Sequence, residues 1–214
     1  FFIEFSKDNV IVVRVDASQY EGWFYEGAGI YRNVSLETLN PVHIPEYGVY
    51  VSANLEQSKA LVNAQTSVKN QEGKTVECAV VSYVIDSKGT KMTKSFTEKL
   101  TVKNNEIGKV SQNLSLKNPE LWGLDSPNLY RLVSIVKKNG ITTDSTQTEF
   151  GVRTFNYDSE KGFSLNGKSM KVKGMCVHQD HAGVGSAVPD ALVFYRIKLL
   201  KEMGVNAYRC SHNP

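Results

Sequence analysis

Near its carboxyl end the 214-residue sequence sets imidazoles, a carboxylate and a guanidinium at the ends of two apolar runs, Val177-His178-Gln179-Asp180-His181 and Tyr208-Arg209-Cys210-Ser211-His212-Asn213. Groups of these types can move protons, ligate a metal, or exchange hydrogen bonds with the hydroxyls of a polyol. A helical pattern joins the two runs, so both sets arrive at the same end of two strands of one sheet. In parallel α/β sheets and barrels, ligands and chemistry gather outside the carboxyl ends of the strands. His178, Asp180, His181, Arg209 and His212 are therefore grouped at one end of two strands as binding candidates, with Asn213 beside them.

Other chemistries fit these residues less well. The helical HExxH spacing of a zinc protease is absent, and His178 and His181 at a strand end need not face one centre, so no metal is assigned. A Ser211-His212-Asp180 triad is weaker still, because sequence neighbours on an extended strand face opposite ways. Gly162-Phe163-Ser164-Leu165-Asn166-Gly167-Lys168-Ser169 matches the letters of a phosphate-binding loop. Such a loop needs a strand before it and a helix beginning at Lys-Ser, yet polar Asp158 to Lys161 precedes it and the β-patterned Met170-Lys171-Val172-Lys173 follows. Gly27-Ala28-Gly29 and Gly183-Val184-Gly185 each lack the third glycine of a dinucleotide fingerprint. The three cysteines, Cys78, Cys176 and Cys210, have neither the spacing of a zinc ribbon nor the even count of a disulfide framework. A net charge of +3 without a basic cluster argues against nucleic acid. Apolar runs are far short of the roughly 18 residues a membrane span needs.

The elements that must carry these residues fall into three stretches. Asn9 to Asp16 alternates, with Ile11, Val13 and Val15 on one face, and the pattern continues through Trp23 to Val34-Ser35-Leu36. About forty residues are too few for an independent core, so residues 1–40 are expected to be the tail of a larger β-domain. Residues 41–150 carry β-branched and aromatic runs at Gly48 to Leu55, Ala60 to Val68, Val76 to Ile85, Ser95 to Val102 and Leu129 to Val136. Turn signals at Glu72-Gly73, Asp86 to Gly89, Asn104-Asn105 and Asn139-Gly140 punctuate them, which predicts an immunoglobulin-like sandwich. Trp122, in a loop bracketed by Pro119 and Pro127, is expected to cover a sheet edge or a neighbouring domain. From 151 the period changes. Phe163-Ser164-Leu165, a type I′ turn at Asn166-Gly167, and Met170 to Met175 predict a hairpin leading into a strand. Pro189-Asp190 opens a helix with an apolar stripe of Leu192, Tyr195, Ile197, Leu199, Leu200 and Met203, closed by Gly204, and Val205 to Cys210 is the next strand. Such a βαβ unit cannot bury both of its faces alone.

These pieces, in this order, resemble a fragment of glycoside hydrolase family 2, the group of β-galactosidases, β-glucuronidases and β-mannosidases. Trp23 with Gly29-Ile30-Tyr31-Arg32-Asn33-Val34-Ser35-Leu36 resembles the last strands of that family's sugar-binding jelly roll. Leu121-Trp122 with Ser126-Pro127-Asn128-Leu129-Tyr130 resembles the late part of its immunoglobulin-like domain, and Phe150-Gly151-Val152-Arg153 the exit from it. Phe163 to Lys168 resembles the opening of the family's (β/α)₈ TIM barrel. The resemblance implies a mainly β chain: a jelly-roll tail over 1–40, a β-sandwich over 41–150, and the first βαβ unit of an incomplete barrel over 151–214. It implies a retaining exo-glycosidase acting on terminal non-reducing β-glycosidic bonds, β-D-galactosides first, with one Glu as acid/base and another as nucleophile, their carboxyls about 5 to 5.5 Å apart. By the same resemblance both Glu residues lie past Pro214. The chain is then inactive alone and holds only the sugar-binding half of the site. Asp180, His181 and His212 take sugar hydroxyls and support the transition state, and Arg209 orients the nucleophilic carboxylate. The resemblance implies a carbohydrate substrate, the remaining barrel of the parent chain and a homo-oligomer as partners, with no nucleic acid and no membrane. No cofactor is evident, and accessory Mg²⁺ or Na⁺ in the full-length enzyme stays open. Location is also open, a periplasmic or secreted site being expected ahead of a cytoplasmic one. Some β-galactosidases carry an Asp just before the tryptophan that Trp23 matches; here Glu21-Gly22 stands there, which leaves the sugar open. The competing readings are a β-glucuronidase or β-mannosidase type, and a carbohydrate-binding or adhesive sandwich module without catalysis.

Overall fold

The computed structural model describes residues 6–16, 18 and 29–211. Trp23, Glu21-Gly22, His212 and Asn213, all singled out above, lie outside the described residues. The chain divides into two compact units, Glu37–Val172 and a second made of Phe1–Leu36 with Lys173–Pro214.

The first unit is a β-sandwich followed by a short hairpin. Its strands are β1 (Val42–His43), β2 (Val49–Glu56), β3 (Lys59–Asn70), β4 (Val76–Ile85), β5 (Phe96–Val102), β6 (Ile107–Lys117), β7 (Tyr130–Lys138) and β8 (Ile141–Phe150). In one sheet β6 pairs with β3, whose other side takes β2 over most of its length and β1 at its end. The other sheet runs β5-β4-β7-β8, and every pairing in both sheets is antiparallel. The runs at 48–55, 60–68, 76–85, 95–102 and 129–136 fall on β2, β3, β4, β5 and β7, and β6 and β8 complete the immunoglobulin-like sandwich.

Alternation explains the layering. On β3 every second residue from Ala60 to Asn70 is buried, and the same two-residue period buries Val76, Cys78, Val80, Ser82 and Val84 on β4. The core has two apolar clusters, one around Val62, Leu114, Leu116 and Leu132, the other around Val68, Val80, Val102 and Val136. Between them each of four strands contributes one fully buried polar residue: Thr66 on β3, Ser82 on β4, Gln112 on β6 and Ser134 on β7. Gln112 donates its amide N–H groups across the sandwich to the carbonyls of Val80 at 3.0 Å and Phe96 at 3.3 Å. Sliding β6 by two residues would break both Gln112 bonds and set its amide among valines and leucines, so Gln112 opposes that misregister.

The exit from the sandwich is fixed by Trp122. Its N–H donates to the Val152 carbonyl at 2.8 Å, the Arg153 guanidinium lies 4.6 Å from its ring centre, and its side chain lies against Gly151. Trp122 thus packs on residues 151–153, just beyond the end of β8. A Cβ on residue 151 would stand 2.9 Å from the Trp122 Cβ. Gly151→Ala is accordingly expected to destabilise the unit by about 1 to 3 kcal/mol, read from the urea midpoint.

Asp86 closes the β4 turn by accepting the N–H of Thr90 at 2.7 Å and of Lys88 at 2.9 Å, and these bonds, the Thr90 one first, hold its carboxyl below the usual range. Because the folded value is depressed, the stabilisation is present above the unfolded value of about 3.9 and is lost as pH falls through the folded one. The difference in urea midpoint between the native chain and Asp86→Ala should therefore shrink on moving from about pH 5.5 to about pH 2.5. A difference that does not change with pH would contradict this role.

Strands β9 (Phe155–Asp158), β10 (Gly162–Leu165) and β11 (Lys168–Ser169) form the hairpin, with Asn166 at φ 50° and Gly167 at φ 76° in the type I′ turn. The letters of a phosphate-binding loop thus belong to two antiparallel strands, with no helix to converge N–H groups on phosphate. Asn166 ties the turn down, donating its side-chain amide to the Trp122 carbonyl at 2.9 Å and accepting the Thr154 N–H at 3.0 Å.

In the second unit β12 (Gly174–Val177), α1 (Asp190–Glu202) and β13 (Ala207–Cys210) form the βαβ motif, and β12 and β13 are parallel. Met170 to Met175 is not one strand: the hairpin ends at Ser169 and the parallel strand begins only at Gly174. The helix starts after Pro189 and ends in a Schellman pattern, Val205 N–H to Leu200 and Gly204 N–H to Lys201, both at 3.0 Å. That turn takes the Val205 N–H, and β13 begins at Ala207 rather than Val205. The expected strand over Asn9–Asp16 is not observed. Val10, Ile11, Val12, Val13 and Val15 are exposed, and no strand among the described residues pairs with them. Alternation supplies a face, but a strand also needs a ladder.

Candidate functional site

The register of the parallel pair sets the site. Gly174 stands opposite Ala207, Cys176 opposite Arg209, and Val177 opposite Cys210, so both strands end level. The last rung is the Ser211 N–H donating to the Val177 carbonyl at 3.0 Å. His178 therefore leaves β12 beside Ser211, and Asp180 and His181 follow on the loop beyond it. His178, Asp180 and His181 are half-buried.

Cys176, Arg209 and Ser211 share one face. The Arg209 guanidinium donates to the Ser211 hydroxyl at 3.3 Å and lies 3.6 Å from the Cys176 sulfur. Arg209 forms no ion pair among the described residues, so its fork is available to a carboxylate. Ser211 thus accepts a hydrogen bond from the guanidinium and helps fix its position.

The loop after β12 is closed on itself. His181 N–H donates to the Gly185 carbonyl at 3.0 Å and Gly185 N–H returns to the His181 carbonyl at 2.9 Å. A residue with no motif in the sequence also acts here: Arg196, on α1, donates to the carbonyls of His178, at 3.2 Å, and of Asp180. Its one signal was a cation inside the stripe of Leu192, Tyr195 and Leu199, a pattern that equally describes a snorkelling side chain. Among the described residues no three His, Cys, Asp or Glu side chains converge on a metal-sized centre. The wall can thus donate and accept hydrogen bonds at several angles and present one guanidinium to an anion, which suits a polyhydroxylated ligand beside a carboxylate.

Comparison with known proteins decides the family. The pattern of Glycosyl hydrolases family 2 matches residues 42–153, and that of the family's TIM barrel domain matches residues 158–214. The chain belongs to glycosyl hydrolases family 2. It is 36% identical to Beta-galactosidase BoGH2A of Bacteroides ovatus, over 100% of this chain and 25% of that protein. It is 29% identical to a Beta-glucuronidase of Formosa agariphila, over 98% of this chain and 24% of that protein. The crystal structure of a family 2 member from Bacteroides cellulosilyticus superposes with a TM-score of 0.77 and 33% identity, covering 82% of this chain and 24% of the other. The chain spans about a quarter of the length of these curated relatives. Within the family 2 frame the sandwich is the family's β-domain, and the β12-α1-β13 unit is the start of its TIM barrel domain, whose strand ends carry Asp180, His181 and Arg209.

Proposed function

We propose that the protein containing this chain is a retaining exo-β-glycosidase, with β-D-galactosides as its first substrates, and that the chain supplies the sugar-holding half of the active site. The observation that carries the reading is the level ending of β12 and β13, after which His178 leaves beside Ser211 in a stretch that matches the family's TIM barrel domain. Asp180 and His181, with His212, would bond sugar hydroxyls, and Arg209 would hold the nucleophilic carboxylate in line. The acid/base and nucleophile would come from later barrel strands, so the 214 residues by themselves should not turn over substrate. The exposed stripe of α1, with Tyr195 54% and Met203 71% exposed, supports a continuation of the barrel over it. Residues 1–40 would be the end of a jelly-roll domain.

A β-glucuronidase is the second reading, favoured by the Formosa agariphila relative. The two substrates differ at C6, a hydroxymethyl in a galactoside and a carboxylate in a glucuronide, and at C4, where the hydroxyl is axial in a galactoside and equatorial in a glucuronide. Measuring kcat/KM of the enzyme on aryl β-galactoside and aryl β-glucuronide separates them. A galactoside preference of about tenfold or more supports the first reading, and the reverse preference replaces it with the second. Turnover of neither, nor of any other aryl β-glycoside, would overturn both.

A further inference from the structure

The parallel ladder ends at Val177, and beyond it the loop backbone needs other partners. Arg196 supplies them. Its two terminal nitrogens reach the carbonyls of His178 and Asp180, two residues apart on the segment that presents Asp180 and His181. A planar guanidinium can serve both carbonyls at once with charge-assisted bonds, which an ammonium on a flexible stem matches poorly. Downstream, the reciprocal bonds between His181 and Gly185 hold the other side of the same loop. We propose that Arg196 is a positioning residue for the sugar-holding loop, locking the backbone of residues 178–180 from the helix side. The proposal rests on the reading of that loop as the sugar-contacting segment. Both observed Arg196 contacts go to backbone carbonyls, so the residue acts through Asp180 and His181.

Removing the clamp leaves the β12-β13 ladder and the His181–Gly185 bonds in place, so the sheet should keep its pairing while the loop samples more conformations. Substrate binding then loses preorganisation, whereas the general acid and nucleophile, on other strands in the proposed enzyme, keep their protonation. The test compares Arg196→Met and Arg196→Lys with Lys198→Met, a change on an exposed position of the same helix, in the enzyme containing this chain. Kinetics are normalised to active sites titrated with a covalent glycosyl inhibitor, and amide exchange is followed over residues 178–182.

Arg196→Met is expected to raise KM on the order of tenfold per active site, with kcat changed much less and the pH profile unmoved. Exchange in the loop should accelerate by a similar factor, Arg196→Lys should recover part of both effects, and Lys198→Met should match the native enzyme. A merely structural role would lower the active fraction while leaving KM per active site unchanged, and that result overturns the proposal. Unchanged loop exchange in Arg196→Met overturns it as well. If the native enzyme hydrolyses no β-glycoside, the functional reading fails instead, and the exchange comparison still decides whether the clamp exists.

Discussion

Replacing Leu132 with alanine should lower the unfolding free energy of the sandwich by about 2 to 5 kcal/mol. Leu132 is fully buried on β7 and belongs to the cluster of Val62, Val84, Leu114 and Leu116, where both sheets contribute side chains. Deleting its isobutyl group removes transfer energy and leaves a cavity that rigid strands on both sides cannot close. Leu129, just before the same strand and 40% exposed, is the control, since truncation there should cost less than about 1 kcal/mol. Urea unfolding followed by Trp122 fluorescence in a Trp23→Phe background reports this unit. A loss below about 1 kcal/mol for Leu132→Ala would show that the two sheets do not share the close-packed core described.

The largest expected effect on activity is at Arg209. In the enzyme containing this chain, Arg209→Met should lower kcat by about 10²-fold or more with little change in stability, because Arg209 is exposed and bonded only to Ser211 and Cys176 among the described residues. A carboxylate nucleophile held by a bidentate guanidinium is oriented as well as charge-stabilised, so Arg209→Lys should restore only a minor part. Circular dichroism and the unfolding midpoint check that the fold survives. Activity of Arg209→Met within threefold of the native enzyme would remove Arg209 from the site.

How much of this was legible in the letters depended on the physics behind each pattern. β3 and β4 could be read because one face meets the other sheet and one meets solvent, which writes a two-residue period into the sequence. β6 resisted because Gln112, a core residue, interrupts its apolar positions, and β8 because Thr142, Thr143, Thr146 and Thr148 make an edge strand that buries little before Phe150. Asn9–Asp16 shows the converse, an alternating run without a partner among the described residues. At the site, Asp180, His181 and Arg209 stood out because charged groups followed apolar strand runs, and the parallel register ends those two strands level. Arg196 did not, since its partners are backbone carbonyls, which no residue letter encodes. The Gly162–Ser169 letters required their neighbours to be read at all: an Asn-Gly turn between β10 and β11 accounts for them.

The most direct test of the sugar-holding assignment is a crystal structure of the enzyme containing this chain, trapped as a covalent glycosyl intermediate with a 2-fluoro-β-glycosyl fluoride. The sugar hydroxyls should lie within about 2.6 to 3.2 Å of side-chain atoms of Asp180 and His181, with Arg209 against the carboxylate that carries the sugar. A trapped sugar that touches none of Asp180, His181 and His212, or a nucleophile remote from Arg209, would contradict the account.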